Sequence, residues 1–196
     1  MSTIKDKNLA TIGQQEVDWA ARQMKVLEEI KTEFSSSKPL NGLNIGACMH
    51  VTKETANLML TLKAAGANVA LCASNPLSTK DSVAAYLSEN DIEVHAVHGV
   101  SNEDFFKHLN SVLDTNPDIT MDDGADLVTL LLTDRADIPI MGSMEETTTG
   151  VIRLKSMEKN NKLRFPVVAV NDSETKHLFD NRFGTGQSAM DGVVRA

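Results

Sequence analysis

Short apolar runs alternate with amphipathic stretches along almost the whole chain, and this alternation constrains the fold more than any other feature. The apolar runs are of strand length and rich in β-branched residues; they lie at 43–49, 68–73, 92–97, 118–121, 138–141 and 165–170. The stretches between them carry apolar residues at helical spacing. Strand and helix alternate about six times, which predicts an α/β fold with a Rossmann-like, doubly wound parallel sheet.

The remaining local signals predict where individual helices begin and end. A long amphipathic helix is predicted from Ile12 to Phe34, preceded at residues 1–10 by an arm that is frayed or contacts a partner. Thr52 is a natural N-cap for a helix that ends at Gly66, and another helix is predicted to start near Ser78. These boundaries place polar residues directly after the strands.

The polar residues that follow the strands are predicted to meet in one crevice, because the carboxyl ends of parallel strands share one edge of the sheet. They are His50, Thr52, Glu54, Asn75, Ser78, Asp122, Asp123, Glu145, Glu146, Asn171, Lys176 and Asp180.

Each of these signals also has an ordinary structural interpretation. Asp122 and Asp123 either cap a helix through its N-terminal amides or form an acid/base pair beside a ligand. Lys176 and Asp180 are four apart on a helix predicted to be capped by Asn171, Asp172 or Ser173, so they form either a solvated ion pair or part of a site. His50 alone is typical of a structural or capping histidine.

Composition excludes several classes of function. The net charge is -8, with 19 basic and 27 acidic residues and no basic cluster, which argues against a nucleic-acid or anionic-membrane surface. No apolar run is long enough to span a membrane and the polar N-terminus lacks a signal sequence, so cytoplasm is the expected location. Cys48 and Cys72 lie in apolar runs and are expected to be buried thiols.

Known cofactor and metal motifs do not account for the polar clusters. There is no P-loop, no HExxH and no paired CxxC, so no metal site is predicted. A GxGxxA pattern at 184–189 follows a predicted helix, whereas a dinucleotide-binding loop follows a strand.

Four segments, taken together, closely resemble the S-adenosyl-L-homocysteine hydrolase (adenosylhomocysteinase) family, in the order and at the spacing of that family. They are 49–56 (MHVTKETA), 122–126 (DDGAD), 145–150 (EETTTG) and 170–181 (VNDSETKHLFDN). The resemblance covers essentially the whole chain from about Ile12. The sequence from Gly184 to Ser188 is similar to the archaeal or bacterial branch.

The resemblance implies a reaction on a nucleoside. In the family, bound NAD+ oxidises the ribose 3′-hydroxyl, which acidifies the C4′ proton; homocysteine is eliminated, water adds, and the returned hydride gives adenosine. The matching catalytic residues are His50, Asp123, Lys176 and Asp180. Substrate contacts would also come from Thr52 and Glu54 at adenine and Glu146 at the ribose, and NAD contacts from Thr147, Thr148, Thr149 and Asn181.

The family pattern continues beyond the equivalent of Ala196 into a separate NAD-binding domain. We therefore expect residues 1–186 to form a substrate-binding domain and 187–196 to start a connecting helix, with full-length copies forming a homo-oligomer. Alone, the chain is expected to hold NAD weakly and not to turn over. The alternative is a non-catalytic fragment that binds nucleosides or associates with intact subunits.

Overall fold

The computed structural model describes residues 1–196 and contains one sheet of six strands, all parallel. The strands are β1 (Asn44–Cys48), β2 (Asn68–Cys72), β3 (Glu93–His95), β4 (Ile119–Asp122), β5 (Gly142–Glu145) and β6 (Val167–Ala169). Their order across the sheet is β3-β2-β1-β4-β5-β6, which confirms the predicted doubly wound α/β fold. The chain changes direction across the sheet between β1 and β4, the position where such sheets open a crevice.

Helices cover both faces of the sheet. They are α1 (Ala10–Ala21), α2 (Lys25–Ser37), α3 (Lys53–Ala64), α4 (Asp81–Glu89), α5 (Asn102–Leu113), α6 (Asp126–Leu132), α7 (Thr148–Lys159) and α8 (Thr185–Arg195), with a π-helix at Thr175–Gly184 and short 3-10 turns at Lys7–Leu9 and Val170–Asp172.

Two apolar layers hold these helices to the sheet. On one face, Val17, Met59 and Leu87 of α1, α3 and α4 pack against the strands. On the other face, Leu109 and Leu131 of α5 and α6 do so. All five side chains are essentially inaccessible to solvent. Burial of each is worth roughly 1.5–3 kcal/mol, so the two layers together fix the strand ends that carry the polar residues.

The predicted helix from Ile12 to Phe34 is wrong as a single element, since α1 and α2 are separated by a tight turn. The amides of Gln23 and Met24 bond back to the carbonyls of Ala20 and Ala21 at 2.9 and 3.0 Å. Met24 has a non-helical backbone, with φ -107° and ψ 54°. Apolar spacing continues through the turn because both helices bury a face, so periodicity alone does not reveal the break.

The arm at residues 1–10 was expected to be frayed or to contact a partner, and fraying is wrong for its first residues. Thr3 forms a parallel bridge to His95, with its amide donating to the Val94 carbonyl at 2.8 Å and its carbonyl accepting from Ala96 at 3.0 Å. β3 is an edge strand, and its unpaired backbone groups provide partners for the arm.

The predicted strand at 138–141 is displaced, because the structure places β5 at Gly142–Glu145. Ile138 is buried in the core, but Pro139 has no amide proton to give to a sheet ladder. Ser143 and Glu145, by contrast, are polar residues inside the strand and fully buried. An apolar pattern marks burial, and here burial and strand pairing fall on different residues.

Other local predictions are confirmed. The Thr52 side chain caps α3 by accepting from the Thr55 amide at 3.4 Å. Cys48 and Cys72 are buried free thiols.

No helix has both the length and the apolar character that crossing a bilayer requires.

Candidate active site

The candidate site lies at the carboxyl edge of the sheet, where four strands end in polar residues. His50 follows β1, Asp123 follows β4, Glu146 follows β5 and Asn171 follows β6. The parallel register aligns the last residues of neighbouring strands, pairing Cys48 with Asp122 and Asp122 with Glu145. The predicted convergence of these residues on one edge therefore follows from the strand pairing.

His50 and Asp123 contact each other across the crevice between β1 and β4. The Nε2 atom of His50 lies 3.2 Å from Oδ2 of Asp123, and its Nδ1 lies 2.9 Å from the hydroxyl of Ser74. A carboxylate can only accept, so Nε2 donates to Asp123, and in the neutral imidazole the Ser74 hydroxyl then donates to Nδ1. The His50 side chain is 50% exposed and that of Asp123 9%, so the imidazole faces the open crevice.

Asp122 and Asp123 have different roles although they are adjacent. Both carboxyl oxygens of Asp122 accept from the start of α6, at 3.1 Å from the Leu127 amide and 2.9 Å from the Val128 amide. Burial raises the pKa of Asp122 to about 8 in spite of these bonds. Of the two interpretations open from sequence, helix capping belongs to Asp122, and Asp123 is the carboxylate that faces the crevice.

Asn171 organises the polar residues after β6. Its Oδ1 atom accepts from Lys176 Nζ at 2.9 Å, from Asn181 Nδ2 at 3.0 Å and from the Thr148 hydroxyl at 3.3 Å. Lys176 also donates to Oδ1 of Asn181 at 2.8 Å. Asn171 is 1% exposed, so this buried amide joins the β5 and β6 loops and aims the lysine.

The element that carries Lys176 differs from the predicted capped α-helix. It is a π-helix from Thr175 to Gly184 with no side-chain cap, and the Asn171 side chain bonds Lys176 instead of a helix amide. Lys176 and Asp180 remain near each other, with Nζ 3.9 Å from Oδ2. Because π-helical turns are wider than α-helical ones, the i,i+4 contact is looser, and π segments often occur at functional sites.

Glu146 lies among the charged residues of both sides of the crevice. Burial raises the pKa of this carboxyl group, the nearby Lys176 ammonium opposes the rise, and Asp123 and Asp180 add to it. The action of these three charges on Glu146 indicates that Lys176, Asp123 and Asp180 lie close to it. The structure thus brings the candidate residues from β4, β5 and the π-helix into one electrostatic cluster.

Thr52 and Glu54 line a neighbouring groove of about 570 Å³. The groove opens between α1, α3 and α4, and its other lining residues are Gln15, Glu16, Trp19, Lys53, Lys80 and Val83. Lys53 stacks over the Trp19 ring at 4.0 Å from its centroid, and Lys80 pairs with Glu16 at 3.2 Å. Thr52 lies only two residues after His50 in the chain, so this part of the groove lining is near the crevice.

The three threonines after β5 are not equivalent. The Thr147 hydroxyl accepts from the Gly150 amide and donates to Glu145, both at 2.9 Å, so it is fully engaged as the N-cap of α7. Thr148 bonds Asn171, and both Thr148 and Thr149 are exposed. Only the second and third threonines are therefore open to solvent.

Three contributors were not singled out by the sequence analysis as site residues in their observed roles. Ser74 orients His50, Asn171 orients Lys176, and Glu145 joins two loops. Position directly after a strand marks Ser74 and Asn171. Glu145 was also expected among the polar residues after a strand, but its burial inside β5 is decided by tertiary packing.

The chain is a doubly wound α/β domain with an imidazole–carboxylate pair at its switch point and an amide-held lysine farther along the same edge, where domains of this class bind their ligands. The family model described as S-adenosyl-L-homocysteine hydrolase matches residues 1–139 and 135–192. The chain belongs to this family.

Relatives of known name agree with this assignment. The chain is 53% identical to the S-inosyl-L-homocysteine hydrolase of Methanococcus maripaludis, over 100% of the chain and 48% of that protein. It is 51% identical to the adenosylhomocysteinase of Pyrococcus abyssi and 52% identical to that of Aquifex aeolicus, over 98% of the chain and 46% and 47% of those proteins. The chain thus spans about half the length of the relatives it matches.

Proposed function

We propose that this chain forms the substrate side of an adenosylhomocysteinase active site, for the reversible NAD-dependent hydrolysis of S-adenosyl-L-homocysteine to adenosine and L-homocysteine. The observation that carries the proposal is the buried Asn171 amide, which holds Lys176 beside Glu146 at the carboxyl edge of the sheet. Family membership supports the reaction type, and the geometry supports where on this chain it takes place.

Lys176, Asp180 and Glu146 would hold the ribose hydroxyls. The lysine ammonium is directed by two amide oxygens, so it can donate a third bond to the 3′-oxygen. Asp180 is 61% exposed and can accept the hydroxyl proton from the solvent side. Glu146 is half-buried, and burial raises its pKa, which favours a carboxyl group that can take up and release a proton.

Asp123 and His50 would move protons at C4′ and C5′. Asp123 is largely shielded, and its one contact with His50 leaves the other carboxylate oxygen to face a carbon-bound proton. His50 is exposed on the side from which a leaving thiolate departs and water enters. The Ser74 hydroxyl fixes its ring orientation.

The hydrogen-bond donors around the threonine row, Thr147 to Thr149, fit a nicotinamide nucleotide. Thr148 and Thr149 present exposed hydroxyls, and the Asn181 amide nitrogen retains one proton after bonding Asn171. These groups would hold the cofactor, and Thr147 would support them as the helix cap. When bound, NAD+ supplies a hydride acceptor for the ribose 3′-carbon.

The groove beside His50 would take the purine. The Glu54 carboxylate is exposed and can only accept hydrogen bonds, which suits the 6-amino group of adenine. The relative named S-inosyl-L-homocysteine hydrolase makes hypoxanthine the second candidate base. Its 6-oxo group would need a donor, and Lys80 on the same groove can provide one.

Exposed apolar side chains support self-association of the proposed homo-oligomer. Phe179 and Phe183 of the π-helix and Val193 and Val194 of α8 are each more than half exposed. Apolar groups concentrated in this way mark contact surfaces.

Calorimetric titration tests the nucleoside site directly. We expect adenosine to bind the chain with measurable heat and uridine, which lacks a purine, to bind much more weakly. Absence of heat with adenosine at millimolar concentration would contradict the proposed site. Addition of NAD+ to the adenosine complex then tests the threonine row, with a positive coupling between the two ligands as the expected result.

A further inference from the structure

Glu145 is a fully buried carboxyl group that touches both loops of the candidate site. A single oxygen, Oε1, accepts from the Gly124 amide, the Thr147 amide and the Thr147 hydroxyl, each at 2.9 Å. Gly124 directly follows Asp123, and Thr147 directly follows Glu146. One atom therefore joins the loop after β4 to the loop after β5.

The rest of the carboxyl group lies flat against α7. A Cβ on Gly150 would overlap the Glu145 carboxyl group, so only glycine allows the helix to start this close. Oε2 is buried and has no hydrogen-bond partner. An unpaired buried oxygen costs about 1–3 kcal/mol, so fold stability alone does not account for a carboxyl group here.

Two polar cross-strand pairs of β4 and β5, Thr120 with Ser143 and Asp122 with Glu145, form a polar column that contains Glu145. Thr120 donates to the Ser143 hydroxyl at 2.9 Å, and in the next layer Asp122 is the cross-strand partner of Glu145. Asp122 holds the start of α6 while Glu145 holds the two loops. Burial raises the pKa of both acids. The Asp122–Glu145 pair of this column directly precedes Asp123 and Glu146 in the two strands.

We propose that Glu145 is a positioning residue of the active site, whose Oε1 sets the spacing between the loop that carries Asp123 and the loop that carries Glu146 and Thr148. It acts through the place of its acceptor oxygen and not through its charge. The loop spacing follows from the contacts around Glu145, while its value for catalysis rests on the proposed function of the loop residues.

Three substitutions separate acceptor position from charge. Glu145→Gln keeps an oxygen at the Oε1 position without the charge, Glu145→Asp keeps the charge but withdraws the oxygen by one methylene, and Glu145→Ala removes both. Ser143→Ala is the matched control, since it alters the same strand pair one layer lower.

Amide hydrogen exchange and adenosine titration are the two measurements, made well below the melting temperature. We expect Glu145→Asp and Glu145→Ala to speed exchange at Gly124 and Thr147 by about tenfold or more, with unchanged exchange at Ala47 in β1. Adenosine affinity should fall by about tenfold in both variants. Glu145→Gln should retain exchange and affinity to within about threefold, and Ser143→Ala should lower only the melting temperature.

The proposal is overturned if Glu145→Asp matches the unmodified chain in both measurements, or if Glu145→Gln loses as much as Glu145→Ala. Should Glu145→Asp not fold, Glu145→Gln decides, because a charge-based role predicts loss and an acceptor-based role predicts retention. If the unmodified chain binds no adenosine, the proposed function fails at this site, while the exchange rates still decide the role of Glu145.

Discussion

Nε2 of His50 lies 3.2 Å from Oδ2 of Asp123, joining the ends of β1 and β4 at the point where the strand order reverses. A backbone hydrogen bond holds the two strand ends together beside this pair, since the Asp123 amide donates to the Cys48 carbonyl at 2.9 Å. The contact therefore depends on β1 and β4 being adjacent.

Lys176→Ala should weaken adenosine binding by about tenfold or more, because the ribose would lose a charge-assisted hydrogen bond worth roughly 1.5–3 kcal/mol. Calorimetry at constant ionic strength measures the change. Lys107→Ala is the matched control: Lys107 forms an exposed pair with Glu103 at 2.8 Å on α5, which packs against β1, β2 and β3 and not against β6, so its loss should leave affinity unchanged. Equal effects of the two variants would show that Lys176 contributes only net charge.

Glu54→Gln should reduce the preference for adenosine over inosine. The carboxylate of Glu54 accepts from a 6-amino group and faces a 6-oxo group unfavourably, whereas the amide of glutamine can also donate. We expect the unmodified chain to prefer adenosine by about tenfold or more and the variant to lose most of that ratio. Competitive titration with both nucleosides gives the ratio, and an initial preference for inosine would favour the second candidate base.

Asp122→Asn should alter the pH dependence of stability. The folded-state pKa of Asp122 is raised to about 8, above an unfolded value of about 3.9, so its contribution is fully present below pH 4 and is lost as pH rises through about 8. Asparagine accepts only one of the two α6 amides, which costs about 1 kcal/mol at pH 5. By pH 9 the variant should equal or exceed the unmodified chain.

Urea unfolding of both proteins at pH 5, 7 and 9 measures this difference. Taking the difference removes the contributions of other groups, including His95 and His108, whose pKa values burial lowers. Asp191→Asn, on the exposed face of α8, should leave the profile unchanged. A constant difference between Asp122→Asn and the unmodified chain at all three pH values would contradict the prediction.

Two glycine substitutions in helices should have opposite effects. Gly150→Ala places a Cβ against the Glu145 carboxyl group and should destabilise the fold by about 2 kcal/mol through overpacking. Gly192→Ala, on α8 with no atom near the added Cβ, should stabilise its helix by about 0.5–1 kcal/mol. Thermal unfolding measures both, and a neutral Gly150→Ala would mean that α7 can shift away from Glu145.

Sequence patterns predicted which helices and strands form better than they predicted the residues at which these begin and end. The strand–helix alternation correctly indicated a parallel sheet, and Thr52 was recognised as an N-cap because the capping oxygen lies within three residues of its partner amide. The α1–α2 break and the position of β5 were missed. In both places apolar spacing indicates burial. The turn at Met24 and the missing amide proton of Pro139 decide which of the buried residues belong to a helix or a strand.

The gathering of polar residue types at the carboxyl edge of the sheet could be predicted from the sequence. His50, Asp123, Glu146 and Lys176 were named as candidate site residues because each follows a strand or shares a segment with the family, and their roles stay predictions. Their partners Ser74 and Asn171 were not assigned to them, since hydrogen bonds between separate loops leave no local pattern.

The amino-acid sequence by itself determined the fold class, the edge of the sheet where the polar residues gather and the family to which the chain belongs, because periodicity and motif spacing are local properties. Tertiary structure alone decided that Asp122 caps α6 while Asp123 faces the crevice, that a π-helix carries Lys176, and that Glu145 is buried between two loops. Those outcomes depend on which distant backbone amides and side chains come within hydrogen-bond distance when the two core layers close.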